Sequence, residues 1–159
     1  MSTARKPGTL RRLGFGFAMI AVATAPLALA LPAEASTTAN GCTLAPLAPV
    51  FAGLDGAGVK QVRYNVLITC AGNRSVEVQQ TFMEDDAPPD PDDFTGTVVN
   101  ATNFPGAAIK TEGVTLSLPD TEGNPEEVYQ KIRFRVTPAG GVQSAWTLFE
   151  SSPSTTISN

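Results

Sequence analysis

The chain has 159 residues, with 11 Lys+Arg, 15 Asp+Glu and no histidine, and this length corresponds to about one domain. Without an imidazole, the sequence excludes Ser-His-Asp and Cys-His catalysis and any His-ligated zinc site. Two cysteines are also too few for a Cys₄ metal site.

The first 35 residues have the features of a secretory signal peptide. Basic residues precede an uncharged, Ala- and Leu-rich stretch over residues 13–31, and Ala33-Glu34-Ala35 fits the A-x-A cleavage pattern. We predict cleavage between Ala35 and Ser36 and secretion into a bacterial extracellular space. The alternative is a membrane anchor, since residues 13–31 are long enough to span a bilayer. The Arg11-Arg12 pair leaves a twin-arginine route open beside the general secretory route.

Removal of the signal changes the charge balance. It takes away four basic residues and Glu34, which leaves 7 Lys+Arg against 14 Asp+Glu and a net charge near −7. Such a surface repels nucleic acids and anionic membranes. We therefore expect no nucleic-acid partner and no membrane association after processing.

The mature chain alternates apolar and polar residues with the period of a β-strand. In chain order, the predicted strands cover residues 43–51, 61–70, 75–82, the region around 98–99, 114–118, 128–136 and 142–148. The first carries Pro46 and Pro49, which cannot donate to a ladder, so we place it at a sheet edge. The second and third flank the turn residues Ala71-Gly72-Asn73, and we predict that they form a hairpin.

Parity assigns a buried and an exposed face to each strand. On the second predicted strand the apolar face is formed by Val62, Tyr64, Val66, Ile68 and Cys70. On the third, the apolar face is formed by Val76, Val78 and Phe82. On the sixth, Val128, Ile132, Phe134 and Val136 share one face, and Tyr129, Lys131, Arg133 and Arg135 share the other. Each strand therefore has one face for a core and one for solvent.

These features predict an all-β fold, an immunoglobulin-like β-sandwich of about seven antiparallel strands. A small β-barrel is the alternative. We place the signal peptide at residues 1–35, a flexible lead at 36–41, the sandwich domain at 42–150 and a flexible tail at 151–159.

The two cysteines predict a disulfide. Export implies an oxidising compartment, and a Cys42–Cys70 bond would close a loop of about 29 residues, worth roughly 3.5 kcal/mol on the chain-entropy model. It would fasten the first strand to the end of the second.

An acidic segment over residues 84–93 holds six carboxylates and three prolines. Clustered aspartates can supply the oxygen ligands that Ca²⁺ requires, and the metal-ligand candidates are Asp86, Asp90, Asp92 and Asp93. The other interpretation is a solvated loop kept extended by proline and charge repulsion, with no cofactor.

Two further groups of residues are candidate sites. Paired carboxylates can hydrolyse glycosidic bonds, and Asp85, Asp90 or Glu127 would be the acid or base. Lys131, Arg133 and Arg135 form a basic stripe, which Arg63 would extend from another strand. The stripe can dock an acidic partner, dock the chain's own acidic segment, or only keep a sheet face soluble.

The positions of two aromatic residues near the end of the last predicted strand indicate that one of them is buried. Trp146 and Phe149 have opposite parity, so we place one in the core and one on the surface.

The function that these observations favour is a secreted, non-catalytic β-sandwich that acts through its surface. We expect it to be a binding, interaction or structural protein with an extracellular protein or glycan as partner. The alternatives are a small-ligand carrier with a cleft between its sheets, a calcium-stabilised domain and a carboxylate-based hydrolase.

Overall fold

The computed structural model describes residues 35–86, 92–118 and 125–158. The predicted signal peptide, except for Ala35, and the predicted metal ligand Asp90 lie outside these ranges. The strands are β1 (Thr37–Ala39), β2 (Cys42–Pro46), β3 (Val50–Leu54), β4 (Lys60–Cys70), β5 (Arg74–Glu84), β6 (Asp93–Phe104), β7 (Ala108–Leu118), β8 (Glu126–Pro138), β9 (Glu150–Ser151) and β10 (Thr155–Ile157). No helix in the described ranges is long and apolar enough to cross a membrane.

The strands form two antiparallel sheets that pack face to face, so the predicted all-β, sandwich-like architecture is confirmed. In sheet A, β2 and β3 pair with successive parts of one edge of β4, β7 pairs along its other edge, and β1 pairs with β2. In sheet B, β5 lies between β6 and β8, and β9 and β10 pair with the outer edge of β8.

The core between the sheets consists of two apolar clusters. At one end, residues of β2, β4, β5, β6 and β8 pack around the buried Phe104 and Phe134. At the other, Tyr64, Phe82 and Leu118 pack with residues of β8 and β10. The inward faces predicted for β4, β5 and β8 are therefore confirmed, because alternate side chains of a strand share a face.

The predicted hairpin between the second and third strands is wrong. β4 belongs to sheet A and β5 to sheet B, so residues 71–73 carry the chain from one sheet to the other. The apolar faces of the two strands meet across the core, which buries more apolar surface than pairing them edge to edge. A Cβ on Gly72 would lie 2.9 Å from Gly106 Cα, so two connections between the sheets pack together at this point.

The first predicted strand is interrupted, as its prolines indicate. β2 ends at Pro46 and β3 begins at Val50, and Leu47 bridges the break by donating its N–H to Asn65 O at 2.9 Å.

Regular structure extends into both segments that were predicted to be flexible. Thr37–Ala39 pairs with β2, and Thr155–Ile157 pairs with β8 and buries Ile157 in the core. Both segments are rich in polar residues, which led to the prediction of flexibility. Threonine is nevertheless a good strand former.

The Cys42–Cys70 disulfide is confirmed. The two residues are direct cross-strand partners in β2 and β4, with their Cα atoms 4.1 Å apart. Both are buried in the core. The bond therefore lies within sheet A and fastens the interrupted first strand to the end of β4.

A buried polar network separates the two apolar clusters. Gln80 of β5 and Gln130 of β8 both point inward and are almost fully buried. Gln80 Nε2 donates to Gln130 Oε1 at 2.9 Å. Gln130 Nε2 crosses to sheet A and donates to Leu47 O at 2.9 Å and Asn65 O at 2.7 Å. The amide thus satisfies carbonyls at the break between β2 and β3, where regular pairing is missing.

Tyr64 is the largest polar side chain of the second cluster. It is 1% exposed, and its ring lies 4.7 Å from that of Phe82 between centroids. Burial, with a smaller contribution from the Glu84 carboxylate, raises the pKa of Tyr64 to about 12.

This shift predicts a loss of stability at alkaline pH. Because the pKa in the folded state lies above the value of 10 for a free tyrosine, the stabilisation is complete below pH 10 and is lost as pH rises toward 12, by about 2 kcal/mol at pH 12. Urea unfolding from neutral pH to pH 12 measures it. Tyr64→Phe should flatten the alkaline decline; equal declines in wild type and Tyr64→Phe would contradict the assignment.

Candidate functional site

The outer face of sheet B carries the basic stripe. Lys131, Arg133 and Arg135 occupy alternate outward positions of β8, as predicted. Arg63 does not join them, because it lies on the outer face of sheet A, where its Nε donates to Asn65 Oδ1. Lys131, Arg133 and Arg135 are three of the seven basic residues within residues 36–159.

Aromatic rings lie between these cations. The Arg133 guanidinium is 5.1 Å from the Trp146 ring centroid and 4.8 Å from that of Phe149. The Arg135 guanidinium is 4.6 Å from Trp146, and Lys131 Nζ is 5.2 Å from the Tyr129 ring. Each distance is within the range of a cation–π interaction. We call this surface the cation–aromatic face; it comprises Tyr129, Lys131, Arg133, Arg135, Trp146 and Phe149.

The prediction that either Trp146 or Phe149 lies in the core is wrong. Both rings contact Arg133 on the outer face, and Phe149 is 47% exposed. Parity fails here because residues 142–149 do not form a regular strand.

Residues 144–152 are joined to β8 by hydrogen bonds of Ser and Thr hydroxyl groups, which replace part of a regular strand pairing. The backbone N–H groups of Ser144, Thr147 and Ser152 donate to Val136 O, Phe134 O and Gln130 O. In return, the hydroxyl oxygens of the same three residues accept from the N–H groups of β8, each at 3.0 Å. Each Ser or Thr thus completes both halves of a strand pairing, which fixes Trp146 and Phe149 against the arginines.

The cations differ in how their charges are balanced. The Arg135 guanidinium pairs with Glu77, with Nη2–Oε2 and Nε–Oε2 distances of 2.5 and 2.6 Å. Arg133 Nε donates to the neutral Gln79 at 2.9 Å. In the described part of the chain, Arg135 is the only one of the three with a carboxylate partner. Neither Lys131 nor Arg133 forms an ion pair with a described carboxylate.

Tyr129 connects this face to the acidic segment. Its hydroxyl donates to Asp92 Oδ2 at 2.5 Å. Burial, and then this hydrogen bond, raises the pKa of Tyr129 above its ordinary value of 10, so the phenol remains a neutral donor near pH 7. The end of the acidic segment is thus fixed beside the cations.

The predicted calcium ligands do not form a described metal site. Asp86 is half-buried at the end of β5, Asp92 and Asp93 are exposed at the start of β6, and Asp90 lies outside the described residues. Among the residues that the structure describes, no three acidic or cysteine side chains are placed to hold a metal ion. Calcium binding by the complete segment stays a prediction.

The candidate hydrolytic carboxylates lie near one another on the surface. Asp85 N donates to Glu127 O at 2.7 Å, and Glu127 Oε1 accepts from Thr156 Oγ1 at 3.2 Å. Both acidic residues are exposed.

A depression of about 460 Å³ lies at the other end of the sandwich from the acidic segment. Its walls come from the β4–β5, β6–β7 and β8–β9 connections and include Arg74, Phe104, Pro105 and Pro138. In the described part of the chain, the space between the sheets is filled by the two apolar clusters.

Comparison of the sequence with models of protein families and with curated proteins gives no match.

Proposed function

We propose that the mature chain is a secreted, non-catalytic binding module that docks a carboxylate-bearing extracellular protein or glycan on its cation–aromatic face. The observation that carries this proposal is the concentration of cations on one strand of an acidic chain. Three of its seven basic residues occupy alternate positions of β8, while the mature chain has 14 acidic ones.

The chemistry of the face suits a carboxylate. A guanidinium presents paired N–H donors that match the two oxygens of a carboxylate. Arg133 is held between Trp146 and Phe149, so its conformational freedom is restricted before binding, which reduces the entropy lost on association. Arginine and large aromatic residues are also the types most enriched at binding hot spots.

Export follows from separate features. The basic start, the apolar stretch and the A-x-A pattern before Ser36 favour signal cleavage. A disulfide between Cys42 and Cys70 is typical of proteins that fold outside the cytosol. Together they support an extracellular partner.

For the fold we propose the immunoglobulin-like type. If β2 with β3 is counted as the first strand and β9 with β10 as the seventh, the strands between them are β4 to β8 in chain order. The first, second (β4) and fifth (β7) strands then share sheet A, and the third (β5), sixth (β8) and seventh share sheet B. This is the partition of an immunoglobulin domain, with the fourth strand, β6, placed beside the third as in variable-type sheets. The disulfide differs, because it joins neighbouring strands of one sheet.

Arg133→Gln tests the binding function against Arg63→Gln. Polygalacturonate and poly-glutamate serve as immobilised probes for a glycan and a protein source of carboxylates. We expect Arg133→Gln to weaken binding at least tenfold, because a charged hydrogen bond contributes roughly 1.5–3 kcal/mol. Arg63→Gln, on the outer face of sheet A, should bind like wild type.

Thermal unfolding of both variants verifies that they are folded. Equal weakening by the two substitutions would indicate only a general charge effect, and no binding of either probe by the wild type would refute the carboxylate assignment.

The depression at the end of the sandwich favours a second candidate function, that of a small-ligand carrier. Native mass spectrometry of protein recovered from its own culture medium tests it: a carried ligand appears as mass lost only on denaturation. Mass lost with a chelator would instead indicate a cation at the acidic segment.

A further inference from the structure

β6 is a long sheet edge without the usual protection. It pairs with β5 on one side, and no described strand pairs with its other side. From Phe94 to Phe104 it has no charged residue and no proline. A register shift opposite Phe82 and Met83 places a bulge near its start, and Lys110 Nζ contacts Asn103 O near its end, so residues 96–102 form the regular free part of the edge. Such an edge is a template for another strand.

The neighbouring edge is protected. On β7, Lys110 and Glu112 are half-buried and turn inward: Lys110 Nζ donates to Asn103 O at 2.8 Å, and Glu112 Oε1 accepts from Thr102 Oγ1 at 3.0 Å. Inward-pointing charges on an edge strand are a known defence against strand addition.

The two edges on the opposite side of the sandwich are discontinuous. In sheet A, residues 47–49 separate β2 from β3, and in sheet B the edge is made by β9 and β10, which are two and three residues long. Of the edges that the structure describes, β6 is therefore the longest that is both uninterrupted and uncharged.

We propose that β6 pairs antiparallel with β6 of a second copy of this chain, so that two B sheets join into one. The occupant follows from charge and symmetry. Two copies that each carry about −7 repel one another, and the uncharged stretch is where they can approach. A two-fold axis at Val99 places Val99 of one copy opposite Val99 of the other, and Thr97 of one copy opposite Ala101 of the other. These side chains lie on the outer face of the sheet.

This pairing is closed and self-complementary. Val99 is 54% exposed on its own sheet and gains an apolar cross-strand partner in the dimer, a contact that stabilises sheets. Because each copy uses its only β6, assembly stops at two.

The dimer has a consequence for binding that rests on the proposed function. The two-fold axis is perpendicular to the joined sheet, so both cation–aromatic faces lie on the same side. With strands about 4.8 Å apart, the two copies of β8 stand roughly 24 Å from each other. A polymer with repeated carboxylates then engages both faces at once, which raises its avidity.

Sedimentation of the processed chain over a range of concentrations tests the dimer without any ligand, so its outcome is independent of the binding assay. We expect a monomer–dimer equilibrium. Val99→Lys, which sets two like charges opposite each other at the axis, should raise the dissociation constant at least about tenfold. Val142→Lys is the matched control, because Val142 is 89% exposed in the loop that follows β8 and not on β6.

Hydrogen exchange of the wild type gives a second measurement that needs no variant. Amides of residues 96–102 should exchange more slowly as concentration rises, while those of β7 should not change. A chain that stays monomeric, a dimer equally weakened by Val142→Lys, or concentration-dependent protection confined to other strands would overturn the proposal.

Discussion

Gln130→Met is expected to lower the free energy of unfolding by about 3 kcal/mol. Methionine fills a similar volume, so the loss comes from polar groups and not from a cavity. The substitution removes the acceptor of Gln80 Nε2 and a donor to Leu47 O. Two buried polar groups are then left without these partners, at a cost of about 1–3 kcal/mol each.

Urea unfolding monitored by circular dichroism measures this effect. Gln79→Met is the matched control. Gln79 is next to Gln80 on β5 but lies on the outer face, where it accepts one hydrogen bond from Arg133. Its replacement should lower the free energy of unfolding by less than about 1 kcal/mol. The double variant Gln80→Met/Gln130→Met should recover part of the loss, because both partners become apolar. A Gln130→Met protein as stable as Gln79→Met would show that the network does not hold the sheets together.

Removal of the disulfide should have a comparable effect. Cys42→Ala/Cys70→Ala releases a loop with a sequence separation of 28 residues, and the entropy gained by the unfolded chain corresponds to about 3.5 kcal/mol. For a domain of this size, the midpoint of thermal unfolding should fall by roughly 10–15 °C. β1 and β2 should lose amide protection first, because the bond fastens them to β4.

Calorimetry of the wild type and the double variant, each with and without a reducing agent, checks this. The reduced wild type should unfold near the temperature of the variant, and the reducing agent should not affect the variant. A fall of only a few degrees would mean that the pairing of β2 with β4 holds the first strand without the bond.

Period-2 alternation was sufficient to predict the buried faces of β4, β5 and β8, because it depends only on the geometry of a single strand. It does not identify the neighbours of a strand. β4 and β5 have the same pattern whether they pair as a hairpin or face each other across a core, and the structure has the second arrangement. The Cys42–Cys70 bond was predictable because only one pairing of two cysteines exists.

The candidate site was predictable in part. The outward parity of Lys131, Arg133 and Arg135 indicated a basic stripe. Its aromatic half was missed because Trp146 and Phe149 lie in a segment whose pairing depends on hydroxyl groups and not on strand geometry. Ser144 and Thr147, on either side of Trp146, are the sequence signal that could have indicated this.

The polar network is indicated in the sequence by two glutamines at inward strand positions. Gln80 lies at an inward position between Val78 and Phe82, and Gln130 lies between Val128 and Ile132. A buried amide must find partners. The prolines of the first strand, which interrupt regular pairing, could have identified where those partners are.

The most direct test of binding at the cation–aromatic face uses Trp146, which is the only tryptophan of the chain and stacks against both Arg133 and Arg135. Its fluorescence, titrated with polygalacturonate or poly-glutamate, reports occupancy of this face. We expect a saturable change with at least one probe that is retained in Arg63→Gln and shifted to at least tenfold higher concentration in Arg133→Gln. Binding that leaves the Trp146 emission unchanged, or a titration that Arg133→Gln does not alter, would contradict docking at this face.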